Sequence, residues 1–158
     1  MRLKNFLIVV SDIERSKSFY KELFGLEVVA DFGKNVILTE KLVLQEKDLW
    51  ETSLNKQAVT GTHNAELYFE ENNLVAFVEK LNSCSWDIQY VHEPLEHDWG
   101  QHVIRIYDPD LHVIEVGESL ECVARRLLRE GMKPEETARK TQLPLEHVLL
   151  MIPDETID

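Results

Sequence analysis

The chain has 158 residues, a formal net charge of −12 and 44% hydrophobic residues. This length fits one domain, or one domain with an appendage, and the hydrophobic content is that of a globular core. The acidic balance disfavours general binding to nucleic acid or to anionic membranes, because phosphate binding needs a surplus of Lys and Arg. No apolar run is long enough for a signal peptide or a membrane span. Cys84 and Cys122 lie outside any CxxC spacing, so we expect a cytoplasmic protein with reduced thiols.

The first 46 residues predict the order strand, helix, strand, strand, strand. Phe6 to Val10 is an apolar strand, and either Ser11 or Asp12 can cap the helix that follows. Gly25 lies where a left-handed cap ends that helix. Three short strands are then predicted at 26–30, 36–38 and 42–45.

A long polar segment, Lys47 to His63, comes next and contains one large aromatic residue, Trp50. Its length exceeds that of most loops, so we predict either a linker between two halves or a functional lid.

The same order of elements then returns. A strand, a helix and three strands are predicted at 65–70, 74–81, 88–91, 101–107 and 112–116. Asn72-Asn73 takes the place of Ser11-Asp12 before the second helix, and Asp108-Pro109-Asp110 forms the turn before the last strand. A repeated unit that cannot bury its own sheet face implies that the two copies pack together around a cleft.

One acidic residue, Glu115, lies within the apolar last strand. Alternation puts Ile114 and Val116 on one face of this strand and Glu115 with Val113 on the other. Such an acid is either on a wet sheet face, at a water-filled mouth or in a functional site.

The residues after Gly117 have a helical pattern. Leu120 to Leu128 is an amphipathic helix that ends near Gly131. Pro134 and Pro144 each stand where a further short helix begins, and Pro153 stops the last one.

Three short helices with tight turns are also the pattern of a DNA-binding helix-turn-helix. However, residues 133–147 carry three basic residues against three acids, whereas a DNA reader shows a basic face. We therefore expect residues 118–158 to be a helical extension that packs on the sheet or forms a dimer contact.

These motifs together resemble the vicinal-oxygen-chelate superfamily, which includes glyoxalase I, bleomycin-resistance proteins, fosfomycin-resistance enzymes and extradiol dioxygenases. The resemblance covers about residues 3–117 and implies an α+β domain over 1–117, in which two paired βαβββ modules (about 1–46 and 63–117) form a cupped mixed sheet around a cleft. It also implies a homodimer. The matching segments are Val10–Ser16, Phe19-Tyr20, Gly25-Leu26, Leu74–Leu81, Asp108–Asp110 and Ile114–Val116.

In the metal-using members of this superfamily, four inward side chains chelate one divalent ion. The resemblance implies Asn5, Gln45, Glu66 and Glu115 at these positions; Val43 is the alternative to Gln45, but it cannot ligate. Two carboxylates and two amides suit a hard ion such as Mg²⁺ or Mn²⁺ better than Ni²⁺ or Zn²⁺, and they also suit no ion at all. Without an ion, Glu66 and Glu115 facing each other would form a general acid/base pair.

Other side chains are candidates for contact with a ligand. Trp50, Tyr68 and Trp99 are the aromatic residues that we expect at the cleft, with ordinary packing as the alternative. His102 and Arg105 point to opposite faces of one strand, and whichever face is inward supplies a polar anchor for an anionic ligand.

Two hypotheses for the function follow from the resemblance. The first is a metal-free protein of the bleomycin-resistance type, which binds a small molecule in the cleft. The second is a metal-dependent lyase or isomerase related to lactoylglutathione lyase (glyoxalase I). The absence of histidine from the implied ligand set favours the first, and Glu115 at its expected place keeps the second open.

Overall fold

The computed structural model describes residues 1–152, which form two four-stranded sheets and a set of helices. The strands are β1 Phe6–Val10, β2 Val28–Asp31, β3 Asn35–Leu38, β4 Leu42–Glu46, β5 Glu66–Glu71, β6 Tyr90–Glu96, β7 His102–Tyr107 and β8 Val113–Glu118. The α-helices are α1 Ile13–Phe24, α2 Lys47–Leu54, α3 Leu74–Ser83, α4 Leu120–Arg129, α5 Pro134–Thr141 and α6 Leu145–Leu149.

The two sheets have the same strand order. The first runs β1-β4-β3-β2 and the second runs β5-β8-β7-β6, so the first strand of each module lies beside its last strand. In the first sheet β1 is parallel to β4, with Val9 opposite Gln45, while β2, β3 and β4 are antiparallel. The α+β class and the two βαβββ modules are therefore confirmed. The packing of the modules around a cupped cleft stays a prediction.

By its internal contacts the chain divides into two compact units. Unit 1 comprises residues 1–67, 79–91 and 106–114, and unit 2 comprises residues 68–78, 92–105 and 115 onward. The core of unit 1 is built on α1 and the apolar side chains of the first sheet, with Phe19 and Tyr20 almost fully buried. The core of unit 2 includes Val103, Ile104 and Val123, none of which is exposed. The predicted domain boundary between 117 and 118 stays a prediction.

The first helix of each module begins with the same cap. The Oδ1 atom of Asp12 accepts a hydrogen bond from the backbone N–H of Arg15 at 2.9 Å, and Oδ1 of Asn73 accepts one from Ala76 at 3.1 Å. Each cap satisfies a backbone donor that a helix start leaves without a partner. Gly25 ends α1 in the left-handed conformation, with φ of 67°, as its position in the sequence predicts.

Two elements differ from the sequence prediction. Residues 47–54 form helix α2 rather than part of an irregular connection, and Asn55 ends the helix with a left-handed φ of 52°. The sequence predicts a strand at 88–91, whereas β6 begins at Tyr90 and continues to Glu96 through Pro94. Because β6 is the end strand of its sheet, the missing N–H of a proline can face away from the ladder.

The C-terminal helices begin near the predicted prolines. Pro134 is the first residue of α5, as predicted, whereas Pro144 is the residue before α6. The stop predicted at Pro153 lies outside the described residues. No helix within residues 1–152 is long and apolar enough to cross a membrane.

A buried carboxylate joins the turn between β7 and β8 to α1 within unit 1. Asp108 accepts hydrogen bonds from the Tyr20 hydroxyl at 2.8 Å and from His112 Nδ1 at 2.9 Å. Its other oxygen accepts from the backbone N–H groups of Asp110 and His112. Burial, together with the charge of Asp108, raises the pKa of Tyr20 well above its usual value, so the hydroxyl remains a donor.

We predict that Tyr20→Phe lowers the free energy of unfolding by about 1–3 kcal/mol, because it removes one donor from a buried charged acceptor. Urea denaturation measures this change. Tyr90→Phe is the matched control, since the hydrogen bond of 3.3 Å from the Tyr90 hydroxyl to Asn82 is exposed to solvent. An equal loss of stability in both variants would contradict the prediction.

Candidate functional site

A cavity of about 370 Å³ lies beside the first strand, within unit 1. We call it the β1 cavity. One part of its wall is apolar and is formed by residues 6–9 of β1 together with Trp50 of α2 and Val59. Helix α2 places Trp50 there, which explains a large aromatic residue in otherwise polar sequence. The polar part of the lining consists of Thr60, Thr62, Asn64, Glu66 and His112.

His112 is held in the wall of the β1 cavity by the buried Asp108. Its Nδ1 lies 2.9 Å from Asp108 Oδ2, and the Asp108 side chain is inaccessible to solvent. Because a carboxylate accepts hydrogen bonds, Nδ1 carries the proton. Within the described chain Nε2 of His112 makes no hydrogen bond. The imidazole therefore has one fixed orientation and one nitrogen left for a ligand or water.

Glu115 is buried in unit 2, where it forms an ion pair with Arg105 on the neighbouring strand. Nη1 of Arg105 also lies 3.1 Å from Nε2 of His92. A guanidinium only donates, so Nε2 of His92 accepts, and its Nδ1 donates to the carbonyl of Glu93 at 2.8 Å. Neutral His92 and the carboxylate of Glu115 thus hold the guanidinium between them.

Tyr68 and Trp99 are joined in unit 2 by the buried amide of Gln101. The amide nitrogen donates to the Tyr68 hydroxyl at 2.8 Å, and the indole N–H of Trp99 donates to the amide oxygen at 2.9 Å. Trp99 also stacks on His97, with ring centroids 4.2 Å apart. Both aromatic side chains remain more than 40% exposed, so they offer surface to a ligand.

A side chain at position 117 would crowd this arrangement. A Cβ atom there would lie 3.0 Å from the amide nitrogen of Gln101 and 3.2 Å from the Tyr68 ring. Partial burial raises the pKa of the Tyr68 phenol, although the hydrogen bond from Gln101 opposes this shift. The phenol is therefore neutral at ordinary pH.

His102 contacts a different set of charged groups. Its Nδ1 lies 2.8 Å from Oε2 of Glu118. The same oxygen also accepts hydrogen bonds from the backbone N–H of His102 and from Arg126 of α4. Partial burial opposes ionisation of Glu118, but these hydrogen bonds outweigh it and lower the pKa of the carboxyl. The sequence left open whether His102 or Arg105 faces a site, and Arg105 is the one beside Glu115.

The side chains implied as metal ligands differ in their surroundings. Asn5 is exposed, Gln45 is half-buried in β4, and Glu66 is exposed in the lining of the β1 cavity. Glu115 already has the Arg105 guanidinium as its counter-ion. A divalent ion that used Glu115 as a ligand would have to replace or tolerate this counter-ion. Among the described residues no group of three or more His, Cys, Asp or Glu side chains is placed to hold a metal ion.

Three polar residues of these clusters are absent from the side chains predicted for the site: His92, Gln101 and His112. His92 follows the predicted strand 88–91, and Gln101 is the first residue of the predicted strand 101–107. Neither position by itself marks a site residue. For His112 the sequence does carry a signal. Asp108 and His112 are four residues apart across a tight turn, and such a turn brings residues i and i+4 together.

We predict that Arg105→Ala lowers the free energy of unfolding by about 3–5 kcal/mol, because it leaves the buried Glu115 carboxylate without its counter-ion. The double variant Arg105→Ala/Glu115→Gln should recover much of this loss, since the uncompensated charge is then gone. Urea denaturation of the two single variants and the double variant measures the coupling. Additive effects of the two substitutions would contradict the ion pair.

Comparisons with known proteins identify the family. Residues 3–121 match the family model of a glyoxalase-like domain. A crystal structure of a protein of unknown function from Agrobacterium tumefaciens is 38% identical, with a TM-score of 0.66, and the match covers 75% of this chain and 94% of that one. A search of curated proteins returned no match.

Two more distant structures share the fold. A glyoxalase/bleomycin resistance protein/dioxygenase family enzyme from Burkholderia phytofirmans is 17% identical, with a TM-score of 0.64 and coverage of 73% of this chain and 96% of that one. Lactoylglutathione lyase from Agrobacterium tumefaciens is 18% identical, with a TM-score of 0.57 and coverage of 75% and 93%. The resemblance to the vicinal-oxygen-chelate superfamily is thereby confirmed, and the chain belongs to the glyoxalase-like domain family.

Proposed function

We propose that this protein binds a small organic molecule in the β1 cavity and that it does so without a metal ion. The observation that carries this proposal is the cavity itself: about 370 Å³ lined by an apolar strand, an indole and a few polar groups. Small-molecule sites have volumes in the range of about 300–1,000 Å³ and this kind of mixed lining.

The lining suggests how such a ligand is held. Trp50 and the side chains of β1 provide apolar surface for its body. His112, fixed by Asp108, presents one nitrogen as a hydrogen-bonding group of constant orientation. Glu66 adds a carboxylate, so the cavity favours a neutral ligand or one that carries a hydrogen-bond donor.

We extend the proposal to the polar cluster of unit 2. There the guanidinium of Arg105, the phenol of Tyr68 and the indole of Trp99 offer polar and aromatic contacts to a ligand. His102 is left out, because it lies on the opposite face of β7 from Arg105. We also propose a homodimer in the cytoplasm, which agrees with the resemblance and with the free thiols of Cys84 and Cys122.

A metal-dependent lyase or isomerase is the second candidate function. Its ligands would be Asn5, Gln45, Glu66 and Glu115, and Glu66 supports it by lining a cavity. Its weakness is the Arg105–Glu115 ion pair, which an ion would have to replace or tolerate. We therefore rank it below metal-free binding.

We predict that fragments from a small-molecule library bind the β1 cavity and shift the ¹⁹F resonance of 5-fluorotryptophan at position 50. The chain has three tryptophans, so each resonance can be assigned by substitution with Phe. Trp86 packs on Phe19 and bonds to Glu22, away from the cavity lining, and serves as the internal reference.

Ala58→Trp should abolish these shifts, because Ala58 lines the cavity and a large side chain there fills it. Ala76→Trp, at an exposed position of α3, is the matched control and should leave binding unchanged. Fragments that bind the Ala58→Trp variant as well as the natural protein would refute the proposed cavity.

We predict that the protein, soaked in Mg²⁺, Mn²⁺, Ni²⁺ and Zn²⁺ and then desalted, retains much less than one ion per chain. Elemental analysis measures the ratio, and Glu115→Gln should not change it. Near-stoichiometric retention that Glu115→Gln abolishes would instead support the lyase or isomerase.

A further inference from the structure

A second, larger cavity lies among the C-terminal helices, wholly within unit 2. Its volume is about 640 Å³, and we call it the helical pocket. It is lined by the end of α4, the turn that follows, the start of α5 and the residues after α6; the lining side chains are Arg125, Leu128, Arg129, Met132, Lys133, Pro134, Met151 and Ile152. All of them lie beyond residue 121, where the match to the glyoxalase-like family model ends.

The rim of the helical pocket is positively charged, although the chain as a whole has a net charge of −12. Arg125 and Arg129 are four residues apart on α4, so their guanidinium groups lie on one face and repel each other. Neither they nor Lys133 form a salt bridge with any residue in 1–152. The adjacent Arg126, by contrast, pairs with both Glu118 and Glu130. An anion at the rim would relieve this unfavourable cluster of like charges.

The remaining lining of the helical pocket is apolar and adaptable. Leu128, Met132 and Pro134 are half-buried, and Met151 is 6% exposed. Two of the three methionines of the chain are therefore here. Unbranched thioether side chains fill irregular space and adjust to the shape of a flexible ligand.

We propose that the helical pocket binds an anionic amphiphile, a molecule with an apolar chain and one acidic head group. The chain lies against the methionine and leucine side chains, and the head group bonds to Arg125 and Arg129, with Lys133 adding positive charge. Arginine suits this role because its planar guanidinium can form two parallel hydrogen bonds with a carboxylate. This site is independent of the β1 cavity and of the function proposed there.

Isothermal titration calorimetry of the full chain with dodecanoate below its micelle concentration tests this proposal. We expect saturable binding of one dodecanoate per chain, weaker binding of octanoate because fewer methylenes are buried, and no binding of dodecan-1-ol or dodecyltrimethylammonium. The double variant Arg125→Gln/Arg129→Gln should weaken binding about tenfold or more, since charge-assisted hydrogen bonds are lost. Arg139→Gln, an exposed cation of α5 outside the lining, should leave binding unchanged.

Several outcomes would overturn the proposal. Binding of dodecan-1-ol as tight as that of dodecanoate would show that the cations play no role. Unchanged affinity for dodecanoate in the double variant would show the same, provided that its circular dichroism matches that of the natural protein. Binding only to phosphatidylglycerol vesicles would indicate a membrane surface instead of a pocket for single molecules. A tenfold gain in affinity in Asp154→Asn/Glu155→Gln/Asp158→Asn would assign the pocket to the chain's own acidic segment.

Discussion

The carboxylate of Asp108 connects three parts of unit 1: the first helix, the turn after β7 and the histidine in the wall of the β1 cavity. It accepts hydrogen bonds from the Tyr20 hydroxyl of the first helix, from Nδ1 of His112 and from two backbone N–H groups of its own turn. A buried charge is tolerable only when such partners surround it. Two residues further on, Asp110 accepts from the Ser11 hydroxyl at 2.6 Å and from Arg15 at 2.9 Å, so the same turn also fixes the start of α1. The turn motif that carried much of the family resemblance is thus a structural junction, and His112 extends it to the β1 cavity.

The ion pair between Arg105 and Glu115 sets the electrostatic surroundings of the carboxylate on the last strand. A carboxylate on the last strand is what the family pattern implies, but here its counter-ion comes from the protein itself. Neutral His92 completes the arrangement by accepting from the same guanidinium. Because a guanidinium stays protonated in proteins, Glu115 has a cationic partner that the chain itself supplies.

The repeat of strands and helices could be predicted because apolar periodicity and caps are local signals. The pairs Ser11-Asp12 and Asn72-Asn73 were both recognisable as helix starts, and Asp12 and Asn73 are the capping residues. Helix α2 was missed because few of its eight residues are apolar, which hides helical periodicity. The partners of Glu115 could not be predicted, since they depend on the register between strands, and no local pattern of residues encodes that register. The tautomer of His92 likewise depends on groups outside its own strand segment, because Arg105 of the neighbouring strand is the donor to its Nε2.

Pro94 has a consequence for how this protein avoids unwanted association. It lies in β6, the end strand of the second sheet, where unpaired N–H and C=O groups would otherwise form a template for another strand. A proline removes one donor from that edge, and the exposed acids Glu93 and Glu96 on either side of it add like charges that would repel a second copy in the same register. Growth of the sheet from molecule to molecule is therefore disfavoured along this edge. A second copy that paired here would lose one hydrogen bond at Pro94 and would bring like charges together.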